Sequence, residues 1–338
     1  MNIREAIEKL VNRVNLSEAE TVAVMNEIMT GEATPLQVAA FLTALRMKGE
    51  TVEEITGAAR VMREKAHRVH VHSKTVLDTC GTGGDQKGTF NISTTCAFVA
   101  AGAGVQVAKH GNRSVSSQSG SADVLSVLGV KVDTPKERVQ SCIDKIGIGF
   151  LFAPLLHEAM KYAVQPRRDI GIRTIFNLLG PLTNPAMATH QLIGLYSGDL
   201  IGTIAHVLKN LGSVRALVVH GMEGLDEISL CGPTKVAELR DGVVTEYVME
   251  PRAMGLKEYR MEDLRGGSPE ESATIVRAVL QGKKGAPRDV VVLNSGAALY
   301  TSGAAASVEE GMRLAAESID SGKAQKKLEA LVEMTNAA

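Results

Sequence analysis

The sequence predicts an α/β architecture in which a small helical N-terminal domain precedes a large domain with a central, mainly parallel sheet. Three observations carry that expectation. Residues 1 to about 68 read as helix after helix. Capping boxes stand at Ser17 to Glu20 and Thr51 to Glu54, Thr34-Pro35 is an N-cap followed by an N1 proline, and Gly31 and Gly49 sit at helix ends. From "TVLDTCGTGG" onward the texture changes to short runs rich in Val, Ile and Leu ("TVLD", "VQVAKH", "ALVVHG", "DVVVLN"), each followed by a Gly-rich or polar loop. Helical stretches separate these runs, and strands that are apolar on both faces and alternate with helices belong to a parallel sheet covered on both sides.

Further elements follow in order. The stretch 155 to 185 interrupts the strand-helix rhythm with helical patterning and then a proline-rich loop, and is expected to return to the N-terminal helices. Residues 235 to 247 form a hairpin around Asp241-Gly242, a strong short-range turn signal that adds an antiparallel edge. A capping box at Ser268 to Glu271, with Pro269 at N1, opens a helix, and two more helices close the chain. The small domain therefore comprises residues 1 to 70 with the return segment of about 160 to 185, and the large domain residues 71 to 338.

The totals exclude several classes of function. At 338 residues, with 44% hydrophobic and 22% charged residues, the chain suits a globular protein with a substantial core. No apolar run approaches the roughly 20 residues that span a bilayer. The opening "MNIREAIEKL" lacks the apolar block of a signal peptide, so a cytoplasmic protein is expected. Lys and Arg number 37 against 38 Asp and Glu, leaving a net charge of -1 and no global field for nucleic acid or an anionic membrane. Cys80, Cys96, Cys142 and Cys231 lie far apart without a CxxC pair, which argues against a zinc knuckle, a redox pair or a disulfide scaffold. His67, His70 and His72 in "HRVHVH" lack a Cys, Asp or Glu to complete a metal set and read as a strand entry.

Two loops concentrate phosphate-binding chemistry. "TCGTGGDQKGTFNIST", residues 79 to 94, follows a strand and precedes an apolar helix, which puts it at the carboxyl end of a strand where open α/β sheets bind ligands. Glycines expose N–H donors to a close-lying anion, while Asn91, Ser93 and Thr94 stand at a helix N-terminus, whose dipole favours negative charge. Thr89 stands where a Walker A loop needs lysine and Gln86 where GxGxxG needs glycine, so ATPase and dehydrogenase readings lose their support. "VQVAKHGNRSVSSQSGSAD", residues 105 to 123, carries Lys109, His110, Asn112, Arg113 and five serines with no acid before Asp123. Each loop taken alone is also readable as a capped connection or a solvated basic turn.

A third feature, Asp226-Glu227 in "VVHGMEGLDEISL", sets two carboxylates at a strand end, where they suit magnesium bridged to phosphates or, more blandly, a solvated turn. Arg167-Arg168 offers guanidinium groups able to clamp a carboxylate, or an exposed helix face.

Together, "GTGGD" (81 to 85), "FNIST" (90 to 94), "AKHGNR" (108 to 113), "GIRTIFNLLGPLTNP" (171 to 185) and "LDE" (225 to 227) resemble the anthranilate phosphoribosyltransferase family over nearly the whole chain. The resemblance implies a nucleoside phosphorylase/phosphoribosyltransferase class II-like fold and homodimers formed through the helical domain. It implies transfer of a phosphoribosyl group from phosphoribosyl pyrophosphate to anthranilate, with two magnesium ions per subunit. Carried over, Gly81, Gly84, Asp85, Thr89, Asn91, Ile92, Ser93, Thr94, Lys109, His110, Gly111, Asn112, Arg113, Ser116, Ser117 and Ser121 would surround the donor. Ser93, Asp226 and Glu227 would serve the metal, and Gly81, Asn112 and Arg167 would hold anthranilate. Glu158 stands after His157 where the family often has proline, and Gln165-Pro166 precedes Arg167, so the order of Arg167 and Arg168 at the acceptor stays open. A pyrimidine nucleoside phosphorylase-like enzyme and a non-catalytic nucleic-acid-binding relative of the same fold are the alternative readings.

Overall fold

The structure is a computed structural model that describes residues 1–114 and 119–337. Four helices open it: α1 (Ile3–Val11), α2 (Glu18–Thr30), α3 (Pro35–Lys48) and α4 (Val52–Lys65). Their N-termini carry the expected chemistry, since Ser17, Thr34 and Thr51 each accept an amide from the residue three positions on, whose own side chain bonds back. β1 (Leu77–Gly81), α5 (Ile92–Gly102), β2 (Val107–Gly111), α6 (Ser121–Val127), α7 (Lys136–Ile146) and β3 (Ile148–Phe152) follow. The return segment contains α8 (Ala153–Leu156), α9 (Lys161–Ile170) and α10 (Phe176–Leu182). β4 (His190–Gly194), α11 (Ile201–Asn210), β5 (Arg215–Gly221), β6 (Thr234–Arg240) and β7 (Val243–Met249) complete the sheet, and α12 (Pro269–Leu280), α13 (Ala286–Thr301), α14 (Val308–Asp320) and α15 (Lys323–Asn336) close the chain.

The seven strands lie in the order β3-β2-β1-β4-β5-β6-β7; β1 to β5 are parallel, and β6 and β7 antiparallel. The chain builds outward from β1 to β3, then returns to the other side of β1. The order therefore reverses between β1 and β4, and the crevice beyond their carboxyl ends is the topological switch point at which such sheets bind ligands. Asp241 and Gly242 make the β6–β7 turn with φ of 52° and 75°, the left-handed pair that the Asp-Gly sequence predicts.

Successive strand residues bury on opposite faces. Leu192, Leu217 and Val219 join a core with α5 and the C-terminal helices, whereas Ile193, Ala216 and Val218 join one with α11 and the N-terminal helices. Ala163 of α9 and Phe176, Leu178, Leu179 and Leu182 of α10 belong to that second core, packed with Val24, Met25 and Phe41. Arg63 of α4 donates to the carbonyls of Leu182 at 2.7 Å and Leu211 at 3.2 Å, fastening the N-terminal helices to the return segment.

One expectation is corrected. "DVVVLN" is not a strand but the first half of α13, a helix opened by a proline in its first turn. Val290, Val291, Val292, Leu293 and Asn294 are all buried, so the helix is enclosed on every side. A helix without an exposed face has no amphipathic period, and a short apolar run then reads equally as strand.

Candidate active site

Gly81 and Gly194 are register partners at the carboxyl edge of β1 and β4. A Cβ on Gly81 would lie 2.9 Å from Asp226 Oδ2, and one on Gly194 would collide with the Asp226 carbonyl oxygen. The two glycines thus open a slot at the switch point that Asp226 fills. A tight turn after β5, closed by the Gly221 amide on the Leu225 carbonyl at 2.8 Å, delivers it there. From below, Asn294 of α13 holds both the amide and the carbonyl of Ile228, at 2.9 and 2.8 Å, which fixes the backbone beyond Glu227.

The glycine loop closes against this acid loop. Gly83 N–H donates to Asp226 Oδ2 at 2.9 Å, and Ser93 N–H, in the first turn of α5, donates to Glu227 Oε1 at 3.1 Å. A carboxylate at that position meets unpaired amides and the positive end of the helix dipole. Asn91 precedes α5 without using its side chain as a cap, and the buried Thr94 hydroxyl has no partner among the described residues. At its far end the loop is anchored by Phe90 N–H on the Leu264 carbonyl and by a bridge between Thr89 and Arg265.

The electrostatics call for positive charge. Burial pushes the Asp226 carboxyl up, with Asp85 adding repulsion, and burial and then Asp226 push Glu227 up in the same way. Lys109 opposes the shift at Glu227 from the core, its ammonium bonded to the Thr79 carbonyl at 2.5 Å and to Ser93 Oγ at 3.4 Å. Crowded carboxylate oxygens beside a serine hydroxyl fit a hard divalent cation. Among the described residues no three His, Cys, Asp or Glu side chains form a complete metal cage.

The second loop leaves β2. His110 turns inward: its Nδ1 bonds the Gly180 carbonyl at 3.1 Å, and its ring lies 5.1 Å from that of His157. Burial first and His157 second bring its pKa down to about 3, so the ring is neutral. Gly111 passes too close to Ser121 and Phe150 for any side chain. Asn112 is exposed, while Arg113, read in the sequence as a cation with no neighbouring acid, pairs with Asp123 at 2.9 Å as the chain folds back. Ser116 and Ser117 lie outside the described residues. On α9, Arg167 is half-buried with its guanidinium 5.2 Å from the Phe176 ring centre, and Arg168 is exposed.

Comparison with known proteins supplies the family. Residues 73–325 match the model of a glycosyl transferase family, a/b domain, and residues 4–66 its helical bundle domain. Anthranilate phosphoribosyltransferases of Geotalea uraniireducens and Syntrophobacter fumaroxidans are 55% and 57% identical to this chain, each match covering 99% of both sequences. The chain belongs to the anthranilate phosphoribosyltransferase family. The solved anthranilate phosphoribosyltransferase of Thermus thermophilus superposes with a TM-score of 0.93 at 45% identity, covering 98% of this chain and 99% of that one. That of Saccharomyces cerevisiae, in complex with phosphoribosyl pyrophosphate and magnesium, gives 0.90 at 29% identity, covering 99% and 98%.

Within this member of the anthranilate phosphoribosyltransferase family, sequence reasoning missed four residues that build the site. Asp78 is buried below the cleft, accepts from His110 N–H at 3.2 Å and Asn184 Nδ2 at 2.8 Å, and is pushed up by burial against the pull of Lys109. Asn184 also bonds the Ala108 carbonyl at 2.8 Å, joining the return segment to β1 and β2. An aspartate inside an apolar strand and an asparagine beside a proline were the signals available. Arg173 and Tyr196 meet beside the glycine loop; Arg173 stands inside the quoted motif 171 to 185 without a role assigned to it, and Tyr196 left no sequence signal of its own.

Proposed function

We propose that this chain transfers the phosphoribosyl group of phosphoribosyl pyrophosphate to the amino group of anthranilate, releasing pyrophosphate, as a step of tryptophan biosynthesis. The observation that carries the reading is the closure of Asp226 and Glu227 on the glycine loop at the switch point, beside a buried lysine. The division into residues 1–70 with 160–185 and residues 71–338 belongs to the same reading, supported by the packing of α9 and α10 on the N-terminal helices.

In this reading Ser93, Asp226 and Glu227 hold two magnesium ions. Magnesium, when bound, offsets the negative charge that develops on the pyrophosphate oxygens. The N–H groups of residues 81–85 and of the start of α5 are fixed donors for the phosphates, and preorganised donors of this kind are commonly the largest catalytic term. Departure of pyrophosphate leaves an oxocarbenium-like sugar, for which no nucleophilic side chain is required. Anthranilate brings a neutral amine whose lone pair attacks the anomeric carbon. Arg167 clamps its carboxylate and Asn112 and the Gly81 backbone orient it, so the acceptor contributes mainly through approximation.

A homodimer through the N-terminal helices is part of the proposal. It is supported by Val11, Leu36 and Met47 on α1 and α3, exposed to 61%, 83% and 71%. A cytoplasmic setting is supported by four free thiols. No described helix is long and apolar enough to cross a membrane.

The test mixes protein, phosphoribosyl pyrophosphate and magnesium with anthranilate and follows anthranilate fluorescence and pyrophosphate. Magnesium-dependent loss of fluorescence with equimolar pyrophosphate is expected. Activity on ribose 1-phosphate and a pyrimidine instead would overturn the reading.

A further inference from the structure

Arg173 lies between α9 and α10 and belongs to none of the donor, metal or acceptor groups assigned above. Its guanidinium donates to the carbonyl of Gly84 in the glycine loop, and its central carbon lies over the Tyr196 ring, 4.2 Å from the ring centre. Tyr196 is tied to the same loop by its N–H on Thr82 Oγ1 at 3.1 Å, and Thr82 N–H is in turn held by the Gly194 carbonyl at 2.9 Å. Gly84 has φ of +77°, and a Cβ on it would stand 3.3 Å from Arg173 Nη2, so the loop is shaped to admit the guanidinium. Arg46 near the end of α3 and Glu50 just beyond it act electrostatically on Tyr196.

We propose that Arg173 is a positioning residue that fixes the glycine loop in its donor-binding shape and couples that loop to the acceptor segment bearing Arg167. This rests on the assignment of the glycine loop to phosphoribosyl pyrophosphate. In a planar trans peptide the carbonyl and the following N–H point opposite ways. Holding the Gly84 carbonyl toward Arg173 therefore turns the Asp85 N–H to the other side of the loop. Arginine suits the task because its planar group stacks and donates at once, whereas a lysine ammonium reaches a carbonyl but does not lie on a ring in the same way.

The experiment compares wild type with Arg173→Gln, Arg173→Lys and Tyr196→Leu. It measures calorimetric affinity for phosphoribosyl pyrophosphate with magnesium, KM for both substrates, kcat, and the rate of tryptic cleavage after Lys87 without ligand. In Arg173→Gln, donor affinity should fall about tenfold, the loss expected for a charged hydrogen bond. Its kcat at saturating donor should change by less than about threefold, and cleavage after Lys87 should accelerate. Arg173→Lys should recover part of each effect, and Tyr196→Leu should reproduce the loss if Arg173→Gln does not fold. Unchanged donor affinity and cleavage in folded Arg173→Gln would overturn the proposal, as would a fall in kcat with donor KM unaltered. Failure of the wild type itself to bind the donor would instead overturn the donor-loop assignment beneath it.

Discussion

Asp226 and Gly83 join the two halves of the cleft: one carboxylate oxygen of the loop after β5 accepts an amide of the loop after β1 at 2.9 Å. The Asp226 carboxylate lies against Gly81 and its backbone carbonyl against Gly194, so the residue is held at the switch point by the two glycines. It stays there beside Glu227 although burial pushes both carboxyls up, with Asp85 repelling Asp226 and Asp226 repelling Glu227. A fold optimised for stability alone would not keep such a pair.

Asp226→Asn and Glu227→Gln preserve shape and the ability to accept from Gly83 and Ser93 while removing charge. Each should lower kcat/KM by on the order of a hundredfold or more. The melting temperature should hold or rise, because repulsion is relieved. Steady-state kinetics with calorimetry on the same samples checks this, and activity within a few-fold of wild type would remove these residues from the metal site.

Arg167→Ala should raise KM for anthranilate by about ten- to a hundredfold with little change in donor KM, since a charged hydrogen bond to a carboxylate is worth about 1.5–3 kcal/mol. Arg168→Ala should behave as wild type, because Arg168 is exposed and Arg167 is the half-buried one, over Phe176. A reversed pattern would move the acceptor to Arg168.

What the sequence disclosed and what it hid divide on physical lines. Caps, the Asp-Gly turn and glycine-rich strand ends are local signals, and Ser17, Thr34, Thr51 and Asp241-Gly242 stand as read. The acid pair was visible as chemistry, but its partner Gly83 was not, because that contact joins loops far apart in the chain. α13 was misread because full burial erased its period. Arg173 lies inside the motif 171 to 185, but its role stays hidden in the sequence because only the fold sets it on Gly84.

Stability should depend on pH through the buried histidines. In the unfolded chain they titrate near 6.5, whereas burial holds His110 at about 3 and His157 at about 4 in the folded one. The unfolded state therefore takes up protons first, so the stabilisation is complete above about pH 6.5 and is lost as pH falls toward the folded values. Asp226 and Glu227, pushed up on folding, act with the opposite sign, so the comparison must be with His157→Gln and not across pH alone. Between pH 7.5 and 5 the wild type should lose stability relative to that variant; parallel melting curves would refute the assignment.

The exposed apolar side chains of α1 and α3 predict self-association. Leu36→Glu and Met47→Glu together should shift the protein toward monomer in sedimentation velocity at micromolar concentration, with the fold retained. An unchanged sedimentation coefficient would place the interface elsewhere or deny it.

Lys109 provides the last prediction. Its ammonium is buried between Asp78 below and Ser93 and Glu227 above, and it lowers the pKa of both acids. Lys109→Met strips the countercharge while leaving the carboxyls buried, a change that typically destabilises by about 3–5 kcal/mol. If that loss comes from stranded negative charge, adding Glu227→Gln should restore part of it, giving a favourable interaction in a double-mutant cycle. If it comes only from lost packing and the Thr79 bond, the two changes will simply add. Chemical denaturation of the two single variants and the double variant distinguishes these results, and additivity would show that Lys109 does not serve Glu227.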